Sequence, residues 1–339
     1  MYRDEKQGLC LSVFLQAPLL AEKFRYSAKY MSFFLGGIVL LKIGVIGVGY
    51  LGQHHARIFS ELEHVELVGV ADRDRLRADE IAAKYGCASF GAWKELVTKC
   101  DAVSIVTPTT THHEIALACL KAGKDVFVEK PITESLEDAR EIIAASEAGG
   151  RILQVGHLER YNPAIVAASG LIQNPRFIEA ERLSPFLGRG IDVDVTLDLM
   201  IHDIDIVSGL VQSKVRSINA AGDRVLTGKI DAAKAWIEFE NGCKALITAS
   251  RLATEKVRCL KVHQDDAYIS IDYQAQEVRR YFKDATGIAF DVIKAESREP
   301  LKEELKDFVS CLQSRACPMV SGREGMQALE IVLKINEMI

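Results

Sequence analysis

No two of the eight cysteines, at positions 10, 87, 100, 119, 243, 259, 311 and 317, form a C-x-x-C pair. Zinc ribbons and compact disulfide frameworks rely on such spacing, so its absence points to reduced thiols and a cytoplasmic setting, with no metal site. A basic excess is missing too. The 42 Lys and Arg face 47 Asp and Glu, and a net charge of −5 offers no footprint for a nucleic-acid backbone. Repeats and low-complexity stretches are absent. The most membrane-like window, Met31 to Gly52, contains one charge, Lys42, but its second half, Lys42-Ile43-Gly44-Val45-Ile46, reads better as a buried strand, so no membrane partner is expected. What is there is a chain of 339 residues, 48% apolar and 26% charged, enough for two hydrophobic cores.

The first forty residues differ from the rest. Leu9 to Leu20 is modestly apolar behind Arg3 and Lys6, faintly like a signal peptide, but Asp4 and Glu5 spoil the positive flank. The expectation is that residues 1–40 are an extension outside the fold and that the native chain begins near Leu41.

From Lys42 onward, strands alternate with amphipathic helices, the pattern of a parallel sheet wound by right-handed crossovers. The first strand runs into Gly47-Val48-Gly49-Tyr50-Leu51-Gly52, a G-x-G-x-x-G turn followed by a helical stretch. Gly47 permits the tight turn, Gly49 lets backbone N–H groups approach a pyrophosphate, and Gly52 lets helix and strand pack closely. Tyr50 and Leu51 fall inside the same cofactor turn.

The second strand, Val65 to Ala71, ends in Asp72, 20 residues past Gly52. A carboxylate there can accept from the ribose hydroxyls of NAD and repel the 2′-phosphate of NADP, or it can merely cap the helix Arg75 to Tyr85. Arg73 keeps NADP open, since it could pair with that phosphate. A later strand, Ala102 to Val106, leads into Thr107-Pro108-Thr109-Thr110-Thr111-His112, a turn expected to face the nicotinamide ribose, with His112 either touching the cofactor or serving the helix start. His54 and His55, with no carboxylate or cysteine at ligand spacing, read as structural.

Val126-Phe127-Val128 is a short buried strand, and Glu129-Lys130-Pro131 ends it because proline has no N–H for the ladder. A lysine at that strand end sits on the rim where α/β folds hold ligands. After a helix from Ser135 to Ser146 and a strand from Arg151 to Val155, the pattern changes. Segments at 177–183, 215–221, 233–240, 243–250, 257–262 and 267–271 have the spacing of an open, mainly antiparallel sheet, with Asn241-Gly242 as a hairpin turn. Two helices, Leu301 to Leu312 and Glu324 to Met338, close the chain. The fold expected is α/β, a doubly wound parallel sheet at 41–155 followed by an α+β domain at 156–339.

The second half carries Asp198-Leu199-Met200-Ile201-His202-Asp203-Ile204-Asp205. On a regular helix Asp198 and His202 share a face one turn apart, so the aspartate can hold the imidazole while the histidine takes a proton. The apolar residues around them predict a mostly buried helix rather than an exposed acidic stripe.

These landmarks, in this order, resemble the glucose–fructose oxidoreductase / inositol dehydrogenase (Gfo/Idh/MocA) family over residues 41–339. The resemblance implies a Rossmann domain binding NAD, and a second domain that binds substrate and commonly builds homodimers or homotetramers. It also implies that Lys130, Asp198 and His202 line the site of hydride transfer, with Glu129 beside the cofactor. Thr109 departs from the pattern, because members often carry asparagine there. Gly156-His157-Leu158-Glu159-Arg160-Tyr161-Asn162-Pro163-Ala164, taken with the Asp198–Asp205 stretch, looks most like the branch that oxidises C3 of UDP-N-acetylglucosamine for later amination toward lipid A. A diphosphate needs cations, for which Arg160, Arg182, Arg189, Arg251 and Arg258 are candidates. Arg160 leads because it lies in the motif, with Tyr161 and Asn162 as neighbouring substrate contacts. The alternatives are a dehydrogenase of a free polyol or sugar, such as myo-inositol, and a non-catalytic NAD-binding regulator.

Overall fold

The computed structural model describes residues 40–188 and 191–339, so the expectations for residues 1–39 and for Arg189 lie outside the described residues. The first sheet is wholly parallel. Its strands are β1 (Leu41–Ile46), β2 (Val65–Ala71), β3 (Ala88–Phe90), β4 (Ala102–Ile105), β5 (Asp125–Glu129) and β6 (Leu153–Gly156), in the order β3-β2-β1-β4-β5-β6. The helices α1 (Gly52–Glu61), α2 (Arg75–Tyr85), α3 (Trp93–Val97), α4 (His112–Lys121) and α5 (Leu136–Gly149) supply the crossovers. Central strands covered on both faces need continuous apolar runs, and Val126, Phe127 and Val128 are fully buried. Strand order reverses between β1 and β4, so the carboxyl ends of those strands flank the crevice where such sheets bind ligands.

Local chemistry sets the helix ends. Ser135 caps α5 by accepting from the Asp138 backbone N–H, and Gly150 closes it in the left-handed conformation. Asp74, not Asp72, caps α2, accepting from the Arg77 N–H, which leaves the Asp72 carboxylate for other partners.

The second half begins with α6 (Pro163–Ser169), β7 (Phe177–Leu183) and α7 (Ile201–Val211). It continues with β8 (Val215–Asp223), β9 (Ala232–Phe239), β10 (Lys244–Ser250), β11 (Val257–His263), β12 (Ala267–Asp272), β13 (Glu277–Asp284) and β14 (Gly287–Lys294). The strand order is β14-β13-β12-β11-β7-β10-β9-β8, antiparallel except for the parallel pair of β7 and β10. The hairpin of β13 and β14 escapes the sequence pattern. Its segments, Glu-Val-Arg-Arg-Tyr-Phe-Lys-Asp and Gly-Ile-Ala-Phe-Asp-Val-Ile-Lys, sit at the sheet edge and are mostly exposed, so neither shows a buried face.

Two terminal helices, α8 (Pro300–Ser314) and α9 (Gly322–Asn336), return toward the first sheet. Leu301, Leu305 and Phe308 of α8 join the core of Ile43, Ile58 and Phe127, with the Phe127 and Phe308 rings 5.7 Å apart. Leu329 of α9 joins Val155 and Leu153, while Ile331 and Val332 face the second core. No helix among the described residues is long and apolar enough to cross a membrane.

Candidate active site

The glycine turn is shaped by steric necessity. Gly47 has φ +86°, and a Cβ there would lie 2.5 Å from the Val106 carbonyl oxygen. A Cβ at Gly52 would come within 1.9 Å of the Gly47 carbonyl oxygen, so helix α1 can start this close to β1 only with glycine. Over the turn lies a cleft of about 450 Å³ lined by Gly47, Gly49, Asp72, Arg73, Thr107 and Pro108, among others. The Asp72 Oδ2 accepts from the Val48 N–H at 2.8 Å and its Oδ1 from the Asp74 N–H at 2.9 Å, which fixes the carboxylate at the end of β2. The open backbone of the turn, the helix start and the placed carboxylate fit a dinucleotide. Leu51 forms the helix N-cap position and packs on the first core.

Two residues expected at the cofactor turn inward instead. His112 is buried, with Nδ1 2.9 Å from the Pro131 carbonyl oxygen and Nε2 2.9 Å from that of Thr107. It ties the turn after β4 to the turn after β5 and does not line the cleft. Burial pushes its pKa below the ordinary imidazole value. Glu129 is also buried, its Oε1 3.2 Å from His55 Nε2 and its Oε2 accepting the Lys130 N–H. A buried carboxylate requires such partners, which draws it beneath the turn rather than toward a cofactor. His55, which also meets Ser104 Oγ at 2.9 Å, is the structural residue that secures it.

Lys130 points the other way. Its Nζ donates to the Asp198 carbonyl oxygen at 2.8 Å and to Asp198 Oδ1 at 3.2 Å, which joins the rim of the first sheet to the segment before α7. That segment corrects the sequence reading. Thr196 to Met200 winds as a π-helix and only Ile201 onward as an α-helix, so the regular one-turn pairing of Asp198 with His202 is lost. No hydrogen bond joins the two side chains. The aspartate holds the lysine instead.

Asp198 and His202 line a second cavity of about 420 Å³, together with Tyr50 of the glycine turn, Glu159, Arg182 and Arg258. Gly49 lines the first cleft and its neighbour Tyr50 the second, so the glycine turn borders both spaces. His202 is 9% exposed, with its Nδ1 buried and unpartnered. Burial, then the charge of Lys130, then those of Arg182, His157 and Arg258, push its pKa well below 6.5. The imidazole is therefore neutral at neutral pH and able to take a proton.

Arg160, Tyr161 and Asn162, expected to touch substrate, do not line this cavity. Arg160 forms a two-pronged ion pair with Asp205, at 2.6 and 3.0 Å, and lies flat on Gly209 of α7. Tyr161 donates to Asp307 Oδ2 at 2.6 Å, and Asn162 caps α6. The short helical turn after β6 aims these three away from the cavity and leaves Glu159 toward it. Among the described residues the cations lining the cavity are Arg182, Arg251 and Arg258. Arg182, 1% exposed, binds Asp203 at 2.8 and 3.0 Å and Glu159 at 2.7 Å. Burial works against its charge, and those carboxylates more than restore it. Arg258 shares Glu159 at 3.3 Å with 34% of its side chain exposed. Arg251 pairs with Asp231 at 3.6 Å.

Comparison with known proteins settles the lineage. Residues 41–157 match the family described as "Oxidoreductase family, NAD-binding Rossmann fold", and residues 137–270 match the GFO/IDH/MocA C-terminal domain. A UDP-N-acetylglucosamine 3-dehydrogenase of Acidithiobacillus ferrooxidans is 34% identical, over 88% of this chain and 97% of its own. The chain belongs to the GFO/IDH/MocA oxidoreductase family. The solved structure of that relative superposes with a TM-score of 0.86, covering 89% of this chain and 98% of the other. A scyllo-inositol 2-dehydrogenase (NAD(+)) of Bacillus subtilis is 28% identical, over 86% of this chain and 92% of its own. The protein is thus an NAD-binding oxidoreductase of a family of sugar and polyol dehydrogenases.

Two features of this GFO/IDH/MocA cavity lay beyond the motif reading, the pairing of Arg182 with Asp203 and the role of Glu159 as a shared anion. A signal for the first exists in β7. Its residues alternate between partial and full burial, so Arg182 shares the inward face with Ile178 and Ala180. An inward arginine demands a carboxylate.

Proposed function

We propose that this protein oxidises a secondary hydroxyl of a nucleotide sugar with NAD, at C3 of UDP-N-acetylglucosamine. The single observation behind this reading is that Lys130 is bonded to Asp198, which lines one cavity with His202 and with Tyr50 of the glycine turn. A nicotinamide held there would receive the hydride. His202, neutral and lining the cavity, takes the hydroxyl proton. Lys130 hydrogen-bonds the same oxygen and stabilises the charge that develops on it. Asp198 holds the ammonium in place, and His112 fixes the two turns between which it stands.

Charge favours a phosphorylated substrate over a free polyol. Among the described residues three guanidinium groups border the cavity, and Arg258, partly exposed and sharing its carboxylate, is the one most available to a diphosphate. The family likeness to inositol dehydrogenases supports myo-inositol as the second reading. A 3-keto product suits amination in the cytoplasm toward a lipid A precursor. A homodimer or homotetramer is the proposed assembly, supported by the aromatic row from Trp236 through Phe177, His263 and Tyr268 to Tyr281 and Phe290, the last two about half exposed. A parallel assay of absorbance at 340 nm tests the substrate. Turnover with UDP-N-acetylglucosamine and NAD is expected, with none on myo-inositol; the reverse result transfers the assignment to the polyol.

A further inference from the structure

The cavity over His202 has an apolar part of its wall that the chemistry above does not use. Phe186 and Leu187 line it, and both leave much of their surface open, 42% and 61%. Neither lines the cleft over the glycine turn, so a nicotinamide held through that turn does not explain them. Single exposed apolar residues are ordinary on a protein surface. Two neighbours in the wall of a cavity that also carries charged groups are the composition of a ligand site.

The second sheet brings them there. Strands β7 and β10 run parallel, with Arg182 level with Ala249 and Leu183 with Ser250, and residues 184–187 continue from that end of β7. Their root is fixed. The Ser184 N–H donates to the Ser250 carbonyl oxygen at 2.8 Å, and the Ala253 N–H to the Ser184 carbonyl oxygen at 3.2 Å. On the other side of β7, Arg258 of β11 stands directly opposite Arg182. Like charges placed opposite repel, and Glu159, 2.7 Å from one guanidinium and 3.3 Å from the other, is the anion they share. Phe186 follows Arg182 by four residues, at most about 14 Å of chain. The arginine pair and the apolar pair can therefore serve two parts of one ligand.

A ligand matches these surfaces when it offers a hydroxyl to His202, an anionic group to Arg258 and a flat apolar face to Phe186. A free polyol has hydroxyls only and gains nothing from the phenyl ring. We infer that Phe186, backed by Leu187, forms the subsite for the base of a nucleoside diphosphate sugar, with the base stacked on the phenyl face. The inference rests on the proposed oxidation of a nucleotide sugar and names the residue that selects it over a polyol. Stacking of a base on an aromatic ring contributes about tenfold or more in affinity. The base lies away from the reacting carbon, so the contact is the same in ground and transition states. It therefore sets KM and spares kcat.

The test titrates the full chain, saturated with NAD so that the glycine-turn cleft is filled, with UDP and with inorganic pyrophosphate in a calorimeter. Phe186→Ala should weaken UDP about tenfold and leave pyrophosphate unchanged, while Phe186→Tyr, which keeps the ring, should bind UDP like the wild type. The same Phe186→Ala protein should show KM for UDP-N-acetylglucosamine raised about tenfold, with kcat within about twofold of the wild type. Arg258→Ala should weaken both ligands. Should Phe186→Ala fail to fold, Leu187→Ser, at the more exposed side chain, decides by the same loss for UDP alone. Wild-type UDP affinity and KM in Phe186→Ala, or an equal loss for UDP and pyrophosphate, overturn the subsite and leave the dehydrogenase reading standing. A wild type that oxidises myo-inositol and not UDP-N-acetylglucosamine overturns the nucleotide-sugar reading and the subsite with it.

Discussion

The two cavities that the glycine turn borders are made of different materials. The cleft over Gly47 and Gly49 is built around a tight glycine turn and strand ends, with the Asp72 carboxylate fixed by backbone N–H groups. The cavity over His202 has charged groups in its wall whose positions depend on partners elsewhere: Arg182 on Asp203 and Glu159, Arg258 on Glu159, Asp198 on Lys130. A backbone site is specified locally, because glycine spacing and strand ends determine it within one βαβ unit. A site of paired side chains is specified across the chain, since each charge needs a counter-charge from a distant segment.

That contrast can be broken by experiment. The largest effect is expected at the junction: Lys130→Ala should cut kcat by about a thousandfold while NAD affinity stays nearly constant. Wild-type turnover there would remove the lysine from the chemistry and dissolve the link between the two spaces. Next comes Arg182→Met, which strands two buried carboxylates and should cost about 3–5 kcal/mol in urea unfolding. A loss below about 1 kcal/mol would mean the network is not what shapes the cavity.

A pair of arginines sharpens the comparison further. Arg258→Ala should raise KM for UDP-N-acetylglucosamine about tenfold with little change in melting temperature. Arg160→Ala should do the opposite, lowering melting temperature and sparing KM, because its guanidinium serves Asp205. Identical behaviour of the two would return Arg160 to the substrate side. In the cleft, Asp72→Ser should narrow the preference for NAD over NADP by about tenfold, read as the ratio of kcat/KM values.

The smallest effect is in pH. His202 has a depressed pKa and acts while neutral, so kcat/KM should hold constant as pH falls through 6.5 and decline only below it. The same depression makes the folded state bind the proton less well than the unfolded chain does. Its stabilising contribution is therefore full above pH 6.5 and is lost as pH drops from there toward the folded value. A kinetic midpoint above 6.5 would show that the imidazole is not buried as described.

The legibility of this site followed the same division. Strand β2 and helix α2 begin and end where the sequence pattern places them, and Gly47, Gly49 and Asp72 border the cleft as their spacing implies. The Gly156–Ala164 motif was recognisable, yet the side chains it presents were not. Arg160 was chosen for its charge and position in the motif, whereas the turn after β6 points it at Asp205 and leaves Glu159 at the cavity. Glu129 and His112 took an inward position that the sequence left open, for a related reason. A polar residue at a strand end can face the ligand or the protein, and only its partners, His55 for one and two carbonyl oxygens for the other, decide which.

By itself the amino-acid order determined the parallel sheet, the dinucleotide turn and the family, and singled out Lys130, Asp198 and His202 as candidates. These properties depend on periodicity, steric permission at glycine and residue type, all of which are local. Tertiary structure alone decided that Asp198 holds Lys130 rather than His202, that α8 seals the first core, and which arginines border the substrate space. Buried charge is satisfied by whatever lies opposite in three dimensions, and no interval along the chain encodes that.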